Sequence, residues 1–154
     1  MKVESDDARL ARSLVQDTRA GALGTLGSGG EPFVSYVTTA PAANGSPLLL
    51  LSRLAWHSRN LERDPRASLL LVREPGAGSE TMSAVRLTLL GRVTADPDPE
   101  SRRLFLASHP DAAGYAGFAD FSLRRFEVES AHLIAGFGRI VTLGAEHLVQ
   151  AQPL

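Results

Sequence analysis

Residues 52–60, SRLAWHSRN, gather two serines, two arginines and a histidine between two strongly apolar runs, LLLL at 48–51 and SLLLV at 68–72. Hydroxyls and guanidinium groups concentrated where a chain turns have two readings. One is a cradle for an anion such as a phosphate. Ser52 would end a buried strand, and His57, Ser58 and Arg59 would lie in the first turn of the helix that follows. A helix start presents unpaired N–H groups and a partial positive charge, and a guanidinium adds short, charge-assisted hydrogen bonds. The other reading is an ordinary connection, with Ser58 capping the helix and the arginines in solvent. The segment alone leaves both open.

The other candidate groups are sparse. His57, His109, His132 and His147 are scattered singly. They form no HExxH or H-x-H pair, so no metal site is expected. His109 precedes Pro110 at a helix end, where a cation suits the dipole. His132 alternates with apolar neighbours as a strand's face residue. His147, near the end of the chain, reads as a solvated side chain and is a positional candidate for an axial ligand. There is no cysteine, which excludes disulfides, thiolate catalysis and Cys-type zinc sites. No G-x-S-x-G elbow, Walker loop or dinucleotide fingerprint is present, and GTLGSGG at 24–30 reads as a hairpin turn. Asp120, within FADF, is the carboxylate expected to be partly buried, as a cap or turn residue. No nucleophile–base pair is evident.

The elements that must position these residues follow from patterning. Ser5 caps a helix whose acidic start suits the dipole and whose Leu10, Leu14 and Val15 share one face. Strands are expected at 22–26 and 32–40 around a glycine-rich turn. The run 47–52 follows the NGS turn and is apolar throughout, as a strand buried on both faces would be. Residues 56–63 form a two-turn helix closed by Asp64-Pro65, and 66–74 is expected to be another buried strand. A long strand spans 84–95 with a bend or bulge at Gly91. Asp98, Pro99 and Pro110 start and stop a further helix. Two or three short strands are expected over 122–143 around Gly136-Phe137-Gly138, then one more helical turn.

Hairpins dominate without strict βαβ alternation, which predicts a mainly β fold, a small antiparallel barrel with peripheral helices. The 154 residues fit one domain, 1–154, with an N-terminal helix at about 5–20, the barrel at about 21–143 and a short tail. A net charge of −1, from 16 basic and 17 acidic residues, argues against a bulk nucleic-acid or anionic-membrane binder. All basic residues but Lys2 are arginines, suited to fixed bidentate anion contacts. The first residues are acidic and lack a leader's apolar core, and no run approaches the ~20 apolar residues of a membrane span. The expected location is cytoplasmic.

GEPFVSYV, LLLLSRLAWHSRNLERDPRASLLL, VRLTLLGRV and FADFSLRRFEVESAHLIAGFGRI, in that order, resemble the pyridoxamine-5′-phosphate oxidase-related, FMN-binding split-barrel family. Within it they resemble the haem-utilisation branch, over roughly residues 8–143. The resemblance implies a six-stranded antiparallel split barrel forming a homodimer, with FMN in two interfacial clefts. Ser52, Ser58 and Arg59 would hold the FMN phosphate. The backbone of Ser35, Tyr36 and Val37 would run beside the flavin ring, and Arg86 would offer it a polar side chain. On this basis the expectation is an FMN-dependent oxidoreductase acting on a small molecule. Ser35 stands where true oxidases carry an arginine, and their Arg/Trp substrate pair has no counterpart at 120–143, so pyridoxamine-phosphate oxidation is not implied. The haem-utilisation branch also implies an alternative, haem bound at the dimer interface through a histidine near the C-terminus. His147 is the candidate in this chain. A binding module without cofactor is the third reading.

Overall fold

Ser5 accepts a hydrogen bond from the Ala8 N–H at 3.1 Å and starts helix α1 (Asp6–Asp17), which buries Ala8, Ala11, Leu14 and Val15. The architecture comes from a computed structural model that describes residues 5–136 and 138–150. After α1 come β1 (Ala20–Leu26), β2 (Pro32–Pro41), β3 (Pro47–Ser52), α2 (Trp56–Arg63) and β4 (Arg66–Val72). They are followed by β5 (Arg86–Ala95), α3 (Pro99–Ser108), β6 (Phe121–Ile134) and β7 (Ile140–Gly144). No helix among the described residues is long and apolar enough to cross a membrane.

The strands hydrogen-bond in the order β3-β2-β1-β4-β5-β6-β7, and β3 also pairs with β6. That last pairing closes six antiparallel strands into a barrel and leaves β7 as an extra strand on β6, as the mainly β split-barrel expectation requires. Leu23, Leu49, Leu69, Leu89, Phe126 and Leu133 fill the interior with almost no exposure, and Leu14 of α1 and Leu61 of α2 pack against them. A second, smaller cluster forms outside the barrel, where Phe105 of α3 covers Leu48 and Leu50. It explains why β3 is apolar at every position: its inner residues face the barrel and its outer ones face α3.

Gly91 is the bulge its position suggested. The β5–β6 register shifts between Leu90 and Gly91. A Cβ at 91 would sit 1.9 Å from the Glu127 carbonyl oxygen, so only glycine lets the two backbones approach this closely.

Two expectations need correction. β4 is buried on one face only: Leu69 and Leu71 point inward while Leu70 is 37% exposed. The run of leucines hid an alternation, because the outer face is apolar too. The segment 122–143 is not a set of short strands but one 14-residue strand and the five-residue β7. β6 is long because its first half pairs with β3 and its second half with β7. The turn between them has positive φ at Gly136 and Gly138, while Phe137 lies outside the described residues, as do 1–4 and 151–154. Asp120 is partly buried in a turn, as expected, and Asp96 is the most buried carboxylate among the described residues. Asp96 bonds the Arg125 Nε at 3.0 Å, and their side chains are only 5% and 14% exposed. Burial pushes the Asp96 carboxyl up, but hydrogen bonds from Ser101, the Asp98 N–H and Arg125 outweigh it and hold the group below its ordinary range.

Candidate functional site

Helix α2 closes one end of the barrel. Leu61 enters the core, and the Asn60 amide donates to the Thr25 hydroxyl at 3.0 Å between two buried residues. The helix starts at Ala55 without a side-chain cap. Ser58 is buried, and its hydroxyl donates to the Ser52 carbonyl at 2.5 Å. The Ser52 hydroxyl in turn accepts the Leu54 N–H at 3.2 Å. The two serines therefore meet, but each hydroxyl is engaged in shaping the turn. Arg59 is exposed and lines a cleft together with Phe33, Trp56 and Arg63.

On β2, Ser35 is half-buried, Tyr36 is 81% exposed and Val37 is in the core. The inward alternation of β2 aims Ser35 at α2, where its hydroxyl lies 3.0 Å from His57 Nδ1. His57 Nε2 is buried with no hydrogen-bond partner among the described residues, and burial pulls the imidazole below its ordinary pKa. No sequence pattern pairs residues 35 and 57. Only the polar interruption of an otherwise apolar inward row, Phe33-x-Ser35-x-Val37, hints at it.

Arg86 faces outward beside β6 and β4, opposite Ile134 and Val72, and its guanidinium donates to the carbonyls of Met82 and Ala84, each at 3.1 Å. The hairpin registers place Tyr36, Ala22, Leu70, Thr88, His132 and Thr142 side by side in one outward row. Val34, Gly24, Ser68 and Leu90 form the next. Val34, Tyr36, Leu70, Leu90 and, on β7, Ile140 are all substantially exposed. The outer face of the barrel thus carries a continuous band of apolar and small residues, which single-strand periodicity did not reveal.

His132 sits in this band as a face residue. It is exposed, and neither ring nitrogen has a hydrogen bond among the described residues. His109 is structural: Nε2 meets the Thr39 carbonyl oxygen at 2.7 Å and the ring stacks on Phe105. His147 lines a cleft of about 630 Å³ with Arg12, Glu127 and Glu146. Its Nε2 lies 3.5 Å from the Glu146 carboxylate, and its carbonyl accepts from Arg12 at 2.8 Å. Asp120 is half-buried and contributes its carbonyl, which accepts the Arg53 N–H at 2.6 Å. Among the described residues, no group of three or more histidine or carboxylate side chains is placed to hold a metal ion.

A closed six-stranded antiparallel barrel plugged by a two-turn helix defines the split-barrel class. Within that class, the chain belongs to the CREG, beta-barrel family, whose model matches residues 2–148. It is 33% identical over 130 residues to the non-canonical heme oxygenase HOZ, chloroplastic, of Arabidopsis thaliana, covering 81% of this chain and 39% of that protein. It is 26% identical over 140 residues to the heme oxygenase HutZ of Vibrio cholerae, covering 87% of this chain and 79% of that one. Among solved structures, a heme binding protein from Mycobacterium smegmatis superposes with a TM-score of 0.87 at 33% identity. That match covers 96% of this chain and 61% of the mycobacterial one. The chain thus spans well under half of the plant relative and less than two thirds of the mycobacterial protein. These relatives bear out the haem-utilisation branch of the resemblance. The cofactor in their names is haem, and none of the three is described by a flavin.

Proposed function

We propose that this chain is a haem-binding protein of the haem-utilisation type, taking haem on the outer face of its barrel where two copies meet. The observation that carries the reading is the 33% identity to a heme binding protein across 96% of the chain. The residues present fit the group. Haem needs an apolar platform, a neutral nitrogen ligand for iron and a cation for its propionates. The outer band supplies exposed Leu90 and Ile140, the imidazole of His132 with no hydrogen bond among the described residues and, one outward position along β5 from Thr88, the guanidinium of Arg86. His132 would hold the iron, and Arg86 would face a propionate. When bound, haem supplies a redox-active iron able to take a diatomic ligand. The chain's own part is to seat the ring, fix the imidazole between Thr88 and Thr142, and exclude water once a second copy covers the band. His147 is the rival ligand, since it lines the cleft of about 630 Å³.

Titration of the purified protein with haemin, and separately with FMN, tests the reading. A Soret band retained through gel filtration, with no retained flavin, is expected. His132→Ala should shift or abolish that band while His147→Ala leaves it. The reverse pattern moves the ligand to His147, and retained flavin without haem would overturn the proposal. The relatives named as heme oxygenases favour consumption of the haem as a second reading. Loss of the Soret band on adding ascorbate in air, with iron released to a chelator, distinguishes turnover from storage.

A further inference from the structure

The cleft between α2 and the β1–β2 turn is separate from the outer band and takes no part in the haem reading. It has a volume of about 260 Å³, and its lining includes Glu31, Phe33, Trp56, Arg59, Asn60 and Arg63. The α2 residues recur at i, i+3, i+4 and i+7, so one helix face forms a wall of the cleft. Trp56 is the only tryptophan of the chain, yet it is 68% exposed. One face of its ring is partly used: it stacks on Phe33 with centroids 5.9 Å apart and planes 25° apart. Its indole N–H has no acceptor among the described residues. One turn further, Arg59 makes no hydrogen bond or ion pair among them. Arg63 is held in place by donating to the Asn60 amide oxygen at 2.8 Å, and Asn60 is itself anchored to Thr25.

From this geometry we infer that the cleft is a binding site for a small planar aromatic monocarboxylate. An exposed aromatic pair offers a stacking surface, and the indole N–H and the Arg59 fork are donors without acceptors among the described residues. The guanidinium fork matches a carboxylate in bidentate fashion. Charge selects the monoanion. Arg59 and Arg63 are opposed by Glu31, whose carboxylate caps the turn by accepting the Gly29 N–H at 2.9 Å and stays within the lining. One net positive charge suits a carboxylate and disfavours a dianionic phosphate beside Glu31. The volume lies just under the usual range of ligand pockets, ~300–1,000 Å³. It has room for a single ring and none for a macrocycle, so the site stands or falls independently of haem.

Because Trp56 is the sole tryptophan, its fluorescence reports on this cleft alone. The full chain is titrated with benzoate, acetate, cyclohexanecarboxylate and phenyl phosphate. Saturable quenching by benzoate is expected. Acetate, which lacks the ring, cyclohexanecarboxylate, which lacks its planarity, and phenyl phosphate, which carries a second charge, should each bind ~10-fold more weakly or worse. Arg59→Gln, an exposed change that should leave the melting temperature alone, should weaken benzoate binding by ~10- to 100-fold, the loss of the charged contact to the carboxylate. Trp56→Leu, followed by saturation-transfer NMR on the benzoate signals, should abolish contact with the ring. Non-saturating quenching, equal affinity in Arg59→Gln, or tighter binding of phenyl phosphate than of benzoate would each overturn the proposal.

Discussion

Ser35 Oγ and His57 Nδ1 lie 3.0 Å apart, although 22 residues separate them in the chain, and this contact ties strand β2 to the helix that plugs the barrel. It also turns the other ring nitrogen, Nε2, into a buried position with no hydrogen-bond partner among the described residues. A proton added to the ring would place charge where it is desolvated, and this is why the pKa falls.

That arrangement makes stability depend on pH with a definite sign. The folded pKa of His57 is depressed below the ordinary value of 6.5, so the unfolded chain binds the proton more readily. Stability from this group is complete above 6.5 and is lost as pH falls from there toward the folded pKa, where the loss levels off. Melting temperature should therefore drop on acidification through that window. His57→Asn, which cannot titrate there, should flatten this part of the curve. An unchanged slope in the variant would assign the effect to other groups. Ser35→Ala removes the Nδ1 partner and should cost about 1–3 kcal/mol at neutral pH, measured by urea unfolding.

The Asp96–Arg125 pair predicts a larger loss. Both side chains are nearly buried and Arg125 also reaches the Ser101 hydroxyl at 3.3 Å. Asp96→Ala strands the guanidinium and should destabilise the protein by about 3–5 kcal/mol. Exposed pairs such as Arg103–Glu100 and Arg92–Glu129 should contribute far less, so the same substitution at Glu100 or Glu129 is the control. Chemical denaturation of the three variants checks the ranking.

Gly91→Ala tests the bulge. The added methyl meets a carbonyl oxygen rather than a flexible side chain, and β5 cannot move without breaking its pairs to β4 and β6. A loss of at least about 1–3 kcal/mol is expected, as for other overpacked sites, together with disturbed amide shifts in 90–92 and 126–128. Gly114→Ala, where a Cβ meets nothing within 4 Å, should be near neutral.

What the sequence made legible was whatever local rules govern. The bounds of β3 and α2, the Ser5 and Asp98 caps and the Gly91 bulge follow from turn residues, proline placement and periodicity. β4 misled because its leucines face both the core and the exposed band, so burial could not be read from composition. The candidate site was legible only as a list of side chains. Whether Ser52, Ser58 and Arg59 share one cradle depends on the rotation of α2 about its axis, and packing of Leu61 and Asn60 sets that rotation. It buries Ser58 and leaves Arg59 exposed, lining a cleft with Trp56 and Arg63. Ser35–His57 depended on which inward position of β2 meets the helix, a register that no motif encodes.

The outer band yields the last prediction. Val34 and Tyr36 on β2, Leu70 on β4 and Leu90 on β5 are exposed, and Ala22, Gly24 and Ser68 between them are small enough for a close approach. Side chains this apolar in adjacent rows mark a surface to be covered, and a self-complementary contact of two copies is the simplest closed arrangement. Light scattering at micromolar concentration should therefore give twice the chain mass. Leu70→Glu together with Leu90→Glu places four carboxylates in such a contact and should yield a monomer whose far-UV spectrum is unchanged, because both side chains lie outside the core. The same double variant should lose haem if the ring is held between copies, but it should keep benzoate binding at Trp56, which lies on the α2 end. A wild-type monomer, or a double variant that still dimerises, would remove the second copy from the haem site and leave His132 on an uncovered face.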